Sequence, residues 1–510
     1  MDNDNILQNQ NIPPVNEIPQ TEKPVEKIPA YKAAIAWCML GLGFVFTHFV
    51  FSYAGGLWGG IFWLLFGAAQ AVFAIKSKVK ITKFMAVVWG VAEVFCLTPL
   101  FCESRLINFL AAVFSFVLFF YLGIVASGAE LFGGRFVGDA LLSVVVRPFE
   151  RFGDCIKSAF SLFSGRHSKN ILFAAIGIII AFPLTIVVVL LLASSDAMFE
   201  SVAEKMAGFF SGFSFATVVE ILFAVPIAMY LFGSLSSSQR TVNSVSGQPS
   251  ALKVIPPVIS YFAVTPICLF YVIYIVMQAA NIVNAVNQTL DYSEFARKGF
   301  FELCAISVIN LGVITAIQTF SQRNTAIRVY TAVISALSLG IIATAMFKMG
   351  MYIAEYGMTL LRVYTSWFML VMAVVFVMMF VLQIKDFKLW RALFVGFTAM
   401  FFVLCFCNVN GIIASYNISA YESGKLSELD VYAFDELGYS AAEPLAELAN
   451  SGKAEDYKYS ISWYVRLLED TNEEESKFAY FSIPRAKAMN AIETLPPEYK
   501  DYRTEKAFKY

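Results

Sequence analysis

LINFLAAVFSFVLFFYLGIV, residues 106–125, carries no charged side chain. A helix rises about 1.5 Å per residue, and the hydrocarbon layer of a bilayer is about 30 Å thick, so roughly 20 such residues cross it. In lipid every backbone N–H and C=O must find its partner inside the segment, which makes a run of this kind a helix. Outward from it, the same reading gives spans at 31–51, 56–75, 83–100, 171–192, 213–233, 255–277, 300–320, 329–347, 364–384 and 392–407. With 106–125 that makes about eleven. The last is short and 348–363 is ambiguous, so ten or twelve spans are also compatible with the pattern. The expected fold class is all-α, a polytopic transmembrane helix bundle with a small helical C-terminal module outside the membrane.

Composition agrees. Hydrophobic residues make up 58% of the 510, and charged residues 15%, against about 45–50% and 25% in soluble domains. A soluble chain this apolar would expose aggregating patches. Residues 1–30 are polar, rich in Pro, Asn and Glu, and read as a disordered cytoplasmic tail rather than a secretory leader.

Basic residues set the direction, because Lys and Arg collect in short cytoplasmic loops. With the N-terminus inside, the inner segments hold 20 Lys and Arg and the outer ones 6. An odd span count then puts the chain after Cys407 outside. The long inner loop holds an amphipathic segment at 139–169. Phe149, Phe152, Ile156, Phe160 and Phe163 share one helical face, and Pro148 suits a first turn. This helix either lies on the membrane surface or packs as a lid on the inner helix ends.

Residues 408–510 carry 18 acidic against 11 basic side chains, a net of −7. Leu445 and Leu448, then Ile461, Tyr464 and Leu468, repeat at helical spacing. Gly452 suits a helix stop. The segment is expected to be an acidic, α-helical, extracytoplasmic module, serving as a cap on the bundle or as a docking surface for another envelope protein.

Several chemistries find no motif. There are two His, no HExxH and no phosphate-binding GxxxxGK[ST] loop. The eight Cys lack metal or redox spacing. The Gly pairs at 55–56 and 59–60 suit close helix packing. No metal or cofactor is expected. With no basic, aromatic-interleaved surface, nucleic acid is no expected partner. No nucleophile–base set suggests an enzyme.

Ionisable groups at membrane depth are costly and therefore informative. Glu93, Glu220, Glu302 and Asn310 form a candidate intramembrane polar site, with His48 near the outer end of the first span. They serve either as glue between helices or as an outward-facing polar vestibule with Glu93 at its floor.

YIAEYGMTLLRVYTSWFM at 352–369, LLLASSDAMF at 190–199, YSEFARKGFFEL at 292–303 and NVNGIIASYNISAYESGKLSELDVYAFDELG at 408–438 occur in this order. Together they resemble a bacterial multi-pass membrane family known as domain of unknown function 4173, over roughly residues 170–450. The resemblance implies an integral protein of a bacterial cytoplasmic membrane and no particular activity. In those motifs, Tyr356, Thr359 and Arg362 fall near Glu294, Arg297, Lys298 and Glu302 in depth, an expected outer polar collar or else ordinary snorkelling. Two functions follow as expectations: a non-enzymatic envelope sensor or scaffold, or a transporter or channel using the vestibule.

Overall fold

A computed structural model describes residues 28–50, 56–161, 215–239, 255–286, 300–322, 324–474 and 478–500, with Gly177, Ala181, Thr185 and Val188 as isolated positions. Residues 1–27, most of the expected span at 171–192, and Glu294, Arg297 and Lys298 lie outside that set.

The described chain is an all-α polytopic bundle, with no strand among the described residues beyond one isolated bridge, Ile255 to Ser321. Its helices are α1 (Ala30–Val45, continued by a π turn Phe46–Val50), α2 (Gly56–Lys76), α3 (Lys83–Phe95), α4 (Thr98–Phe101), α5 (Arg105–Ala126), α6 (Phe136–Val145), α7 (Arg147–Glu150) and α8 (Asp154–Phe160). Then follow α9 (Phe215–Ser237), α10 (Pro257–Val286), α11 (Phe300–Phe320), α12 (Thr325–Tyr356), α13 (Leu360–Ile384) and α14 (Leu389–Phe406). Nine of the described helices are long and apolar enough to cross a membrane. Helix starts follow side-chain caps: Thr82 accepts from the Met85 amide, Ser104 from Ile107, and Asn324 from Ile327.

Two expected spans differ from their sequence reading. The run at 83–100 is not one helix. Pro99 has no N–H to donate to the carbonyl of Phe95, and its ring crowds that carbonyl. α3 therefore stops at Phe95, and α4 restarts at Thr98, whose hydroxyl donates to the Phe95 carbonyl at 2.8 Å. The ambiguous stretch 348–363 resolves the other way. Residues 348–356 continue α12 to 32 residues, about 48 Å of helix. Gly357 then takes φ 75°, and Thr359 caps α13.

Packing divides the membrane helices into two groups. Phe62, Phe66, Phe119, Phe120 and Phe232 anchor one core, built from α1, α2, α3, α5 and α9. Ile314, Ile334, Ile341, Met369 and Phe376 anchor a second, from α10 to α13. A third cluster joins them where Phe95 of α3 stacks on Phe401 of α14, ring centroids 5.2 Å apart.

The connections sort to two ends. At one end Gln239 donates to Ser77 and accepts from Lys32, and Lys388 meets Glu130 at 3.4 Å. Residues 136–160 lie at this end too, but not as one amphipathic helix. The chain turns at 151–153, so Phe149 is 59% exposed, while Cys155, Ile156 and Ala159 are buried. Of the three short helices, α6 packs on α5, α7 on α9, and α8 on α1 and α9, with Trp37 donating to the Ala159 carbonyl and Tyr230 to that of Val144.

At the other end stand the starts of α2 and α5, the α12–α13 turn and the C-terminal residues. These last form α15 (Val409–Glu422), a 3-10 stretch Tyr432–Ala441, α16 (Ala442–Asn450), α17 (Lys458–Glu474) and α18 (Ile483–Glu493). They share a core of their own that includes Ile413, Phe434, Leu445, Leu448, Ile461 and Tyr464. Gly452, at φ 73°, follows the end of α16.

Gly60 lets the α3–α4 break sit directly on α2: a Cβ there would collide with the Cys96 carbonyl, whereas one at Gly59 meets nothing nearer than Val50 at 4.0 Å. Overpacking of this kind costs about 1–3 kcal/mol. Gly60→Ala should lower the thermal midpoint in detergent by several degrees, and Gly59→Ala should leave it level or raise it. Equal midpoints would contradict the close approach.

Candidate functional site

The four intramembrane residues singled out from the sequence do not meet. Glu93, half-buried on α3, points at Gly67 of α2 and the Phe119 ring, and its Oε1 is buried without a hydrogen bond. Gln70 Oε1 and Trp89 Nε1, on the facing sides of α2 and α3, are also buried without one, although Gln70 Nε2 donates to the Phe119 carbonyl at 2.7 Å. Glu220 of α9 is 2.8 Å from His48 Nδ1, on the π turn that ends α1. Glu302 is exposed near the start of α11. Asn310 is buried in the other helix group, accepting from Tyr271 at 2.6 Å and donating to Ser338 at 2.8 Å. These side chains sit at four separate places and line no common vestibule among the described residues.

The collar residues that are described do meet, and they meet the C-terminal module. Thr359 caps α13 through the Arg362 amide. The Arg362 guanidinium folds back to the carbonyls of Tyr356 and Gly357 and lies 4.2 Å from the Tyr352 ring centroid. Asn417 of α15 pairs with Met358 in both directions: the Met358 amide donates to Oδ1 at 2.6 Å, and Nδ2 donates to the Met358 carbonyl at 2.8 Å. A Cβ at Gly357 would meet Asn417 Oδ1 at 2.7 Å, so this position requires Gly for space as well as for its positive φ. Asn408 sits in the left-handed region at φ 45° and caps α15, and Asn410 donates to the Leu437 carbonyl. Asn417 is thus the joint between module and bundle, while Thr359 and Arg362 close the α12–α13 turn and Asn408 and Asn410 brace the module itself.

A cavity of about 200 Å³ lies in this joint, lined by Arg362, Thr359 and Asn417 with Glu428, Asp430 and Glu436. The guanidinium is occupied by carbonyls, while the three carboxylates are exposed. The cavity is therefore acidic toward a visitor and suits a cationic group.

Glu103 is the residue that sequence reasoning missed. It lies in the connection between α4 and α5, outside the spans. Its Oε1 accepts from Ser482 at 2.8 Å, the residue that caps α18. Its Oε2 is buried and faces the Tyr439 and Ser440 amides without a well-formed hydrogen bond. Gly438, at φ 59°, leaves room for it: a Cβ would sit 3.1 Å from Oε2. Buried Arg485 lies close by with its guanidinium 5.0 Å from the Tyr439 ring centroid. Burial pushes the Glu103 carboxyl up to about 7, against the opposing pull of Ser482, the amides and Arg485. Its partners lie more than 300 positions away in sequence. The one local sign was an acid in an otherwise apolar connection, LTPLFCES at 97–104. Beside it, the Leu57 amide donates to the Ala479 carbonyl at 3.3 Å, and the Trp58 ring stacks on Phe49 and meets Phe478 edge-on.

Among known families, the one described as domain of unknown function (DUF4153) matches residues 89–448. This is a different family from number 4173, which the motifs resemble, and the match begins earlier, within α3. No curated protein and no solved structure matches the chain.

Glu103 gives the junction a pH dependence of definite sign. A carboxyl raised in the folded state binds more protons there than when unfolded, so its neutral form favours docking and that support is lost as pH rises through about 7. The thermal midpoint of the wild type should fall as pH rises from about 5 to about 7 and level off above that, and Glu103→Gln, neutral throughout, should flatten that slope. A slope that persists in Glu103→Gln would remove Glu103 as its source.

Proposed function

The chain belongs to the DUF4153 family, and from that starting point, which supplies no activity, we propose that it is a non-enzymatic sensor or scaffold of a cell envelope. The N-terminus lies in the cytosol, and residues 408–510 lie outside, where they receive a partner. The excess of basic residues at one set of connections supports this sidedness. So does the arrangement of the helices, which carries the C-terminal module at the end opposite the Lys32, Gln239 and Lys388 contacts.

The observation that carries the reading is the triple attachment of the module: Glu103 to Ser482, Asn417 to Met358, and Ala479 to Leu57. These contacts reach three separate helix connections. A partner that shifts the module therefore shifts the ends of α2, α5 and α13 together, which is the mechanical requirement for passing an external event into the bundle. The acidic cavity beside Arg362 favours a cationic partner segment.

Two measurements test it. A reporter fused after Tyr510 should be active only outside the cytosol; activity confined to the cytosol would reverse the sidedness. The purified full chain should bind a short Lys-rich peptide more tightly than an Asp-rich one. Replacing Glu428 and Glu436 by Gln should weaken that binding roughly fivefold, the scale of a few exposed charge contacts. Equal binding of both peptides would remove the cavity as the receiving site.

One observation favours a second reading, transport. Gln70, Trp89 and Glu93 present buried polar atoms without hydrogen bonds between α2 and α3, and such groups in a membrane accompany ion or proton sites. Proton flux in proteoliposomes that disappears in Glu93→Gln would support it; no flux in the wild type would dismiss it.

A further inference from the structure

A second cavity, of about 490 Å³, opens between α2, α5 and α9 on the module side of the membrane. Its walls are almost wholly apolar. On α5 the lining runs Arg105, Asn108, Phe109, Ala112, Val113 and Phe116, one helical stripe. From Arg105 to Phe116 the helix rises about 16 Å, about half the hydrocarbon thickness. The cavity therefore runs from the membrane boundary to the mid-plane, the depth of one leaflet. Gly56 and Gly59 of α2 line the opposite wall and make its width. Trp63, Phe116 and Tyr230 close the bottom, and the Tyr230 hydroxyl is taken up by the Val144 carbonyl. Phe109 and Val113 are 64% and 40% exposed, so the cavity opens sideways to the bilayer.

The mouth differs from the walls. Arg105 is the one side chain charged at neutral pH among its described lining residues. The side chain is exposed and pairs with no described residue. Glu103, two positions back, is turned into the module toward Ser482. Asn108 donates to the Cys102 carbonyl at 2.9 Å, and its buried Oδ1 makes no hydrogen bond. An apolar slot one leaflet deep, with an exposed guanidinium at the headgroup level that pairs with no described residue, matches one ligand chemistry: an acyl chain joined to an anionic phosphate head.

We propose that this cavity is a binding site for a single anionic phospholipid, with its chain between α2 and α5 and its phosphate on Arg105. The site is independent of the acidic cavity in the collar and of the sensing reading. Its position beside Gly56 and Trp58, which touch Ala479 and Phe478, places the lipid under the module's attachment.

The test uses the full chain in phosphatidylcholine vesicles carrying a fraction of lipid brominated along the chain, with tryptophan quenching as the readout. Brominated phosphatidylglycerol should quench more strongly than brominated phosphatidylcholine at the same fraction, and Trp63→Phe should remove most of the difference. Arg105→Gln should lower the preference about tenfold, toward parity, as expected when one charge-assisted contact is lost. Ala112→Phe, which fills the slot, should abolish the excess quenching while the thermal midpoint is retained; Ala112→Leu replaces it if Phe unfolds the chain. Equal quenching by the two lipids in the wild type would overturn the proposal. So would a folded slot-filling variant that keeps the preference. Displacement of the signal by inorganic phosphate alone would do the same, since it would make Arg105 a plain anion site.

Discussion

Hydrocarbon supplies no hydrogen bonds, and this single constraint shapes the chain more than any other. Wherever the backbone leaves the helix near the membrane, something within the protein must answer for its polar groups. At 96–97 the Thr98 hydroxyl and a close-packed Gly60 cover the break. At 357–359 the Asn417 amide pairs with Met358 on both sides. At 407–408 the Asn408 side chain caps the next helix. The last two repairs involve the C-terminal module, so its docking is continuous with the way the bundle finishes its own helices.

Helices, spans and the modular C-terminus were legible in the sequence because each rests on local information. A twenty-residue apolar run, a Pro, a Gly or an N-cap residue acts within a turn or two. Even the break at Phe95 was written locally, in Pro99, although hydropathy over 83–100 hides it. Long-range joints were not legible. Glu103 and Ser482 lie 379 positions apart, and His48 and Glu220 172 apart. The polar residues read by depth alone as one vestibule divide between the two helix groups, because depth says nothing about position around the bundle. The amphipathic pattern expected over 139–169, described as far as residue 161, differs for another reason. Phe149, Phe152, Ile156 and Phe160 keep helical spacing, but the turn at 151–153 resets the phase between them.

The collar motifs show how residues that read as chemistry can serve geometry. Gly357, Asn408, Asn410, Asn417 and Gly438 each satisfy a backbone group or a positive φ at the joint. Three features stand out against them: the exposed carboxylates beside Arg362, the guanidinium of Arg105, which pairs with no described residue, and the buried oxygen of Glu103. The first faces the space beside the module, the second the bilayer, and the third the interface itself. Under the proposals above, a partner, a lipid and a proton would address three neighbouring points on one assembly of helix ends.

The docking of the module is tested most directly by a cross-link between Trp58 at the start of α2 and Phe478 before α18, whose rings stand 5.4 Å apart. In a chain with its eight native Cys replaced, Cys at these two positions should join in intact membranes on mild oxidation or with a short bismaleimide. The joined peptide should be recovered by mass spectrometry. A module that stays folded and protease-resistant while the two positions never join would contradict the docked arrangement.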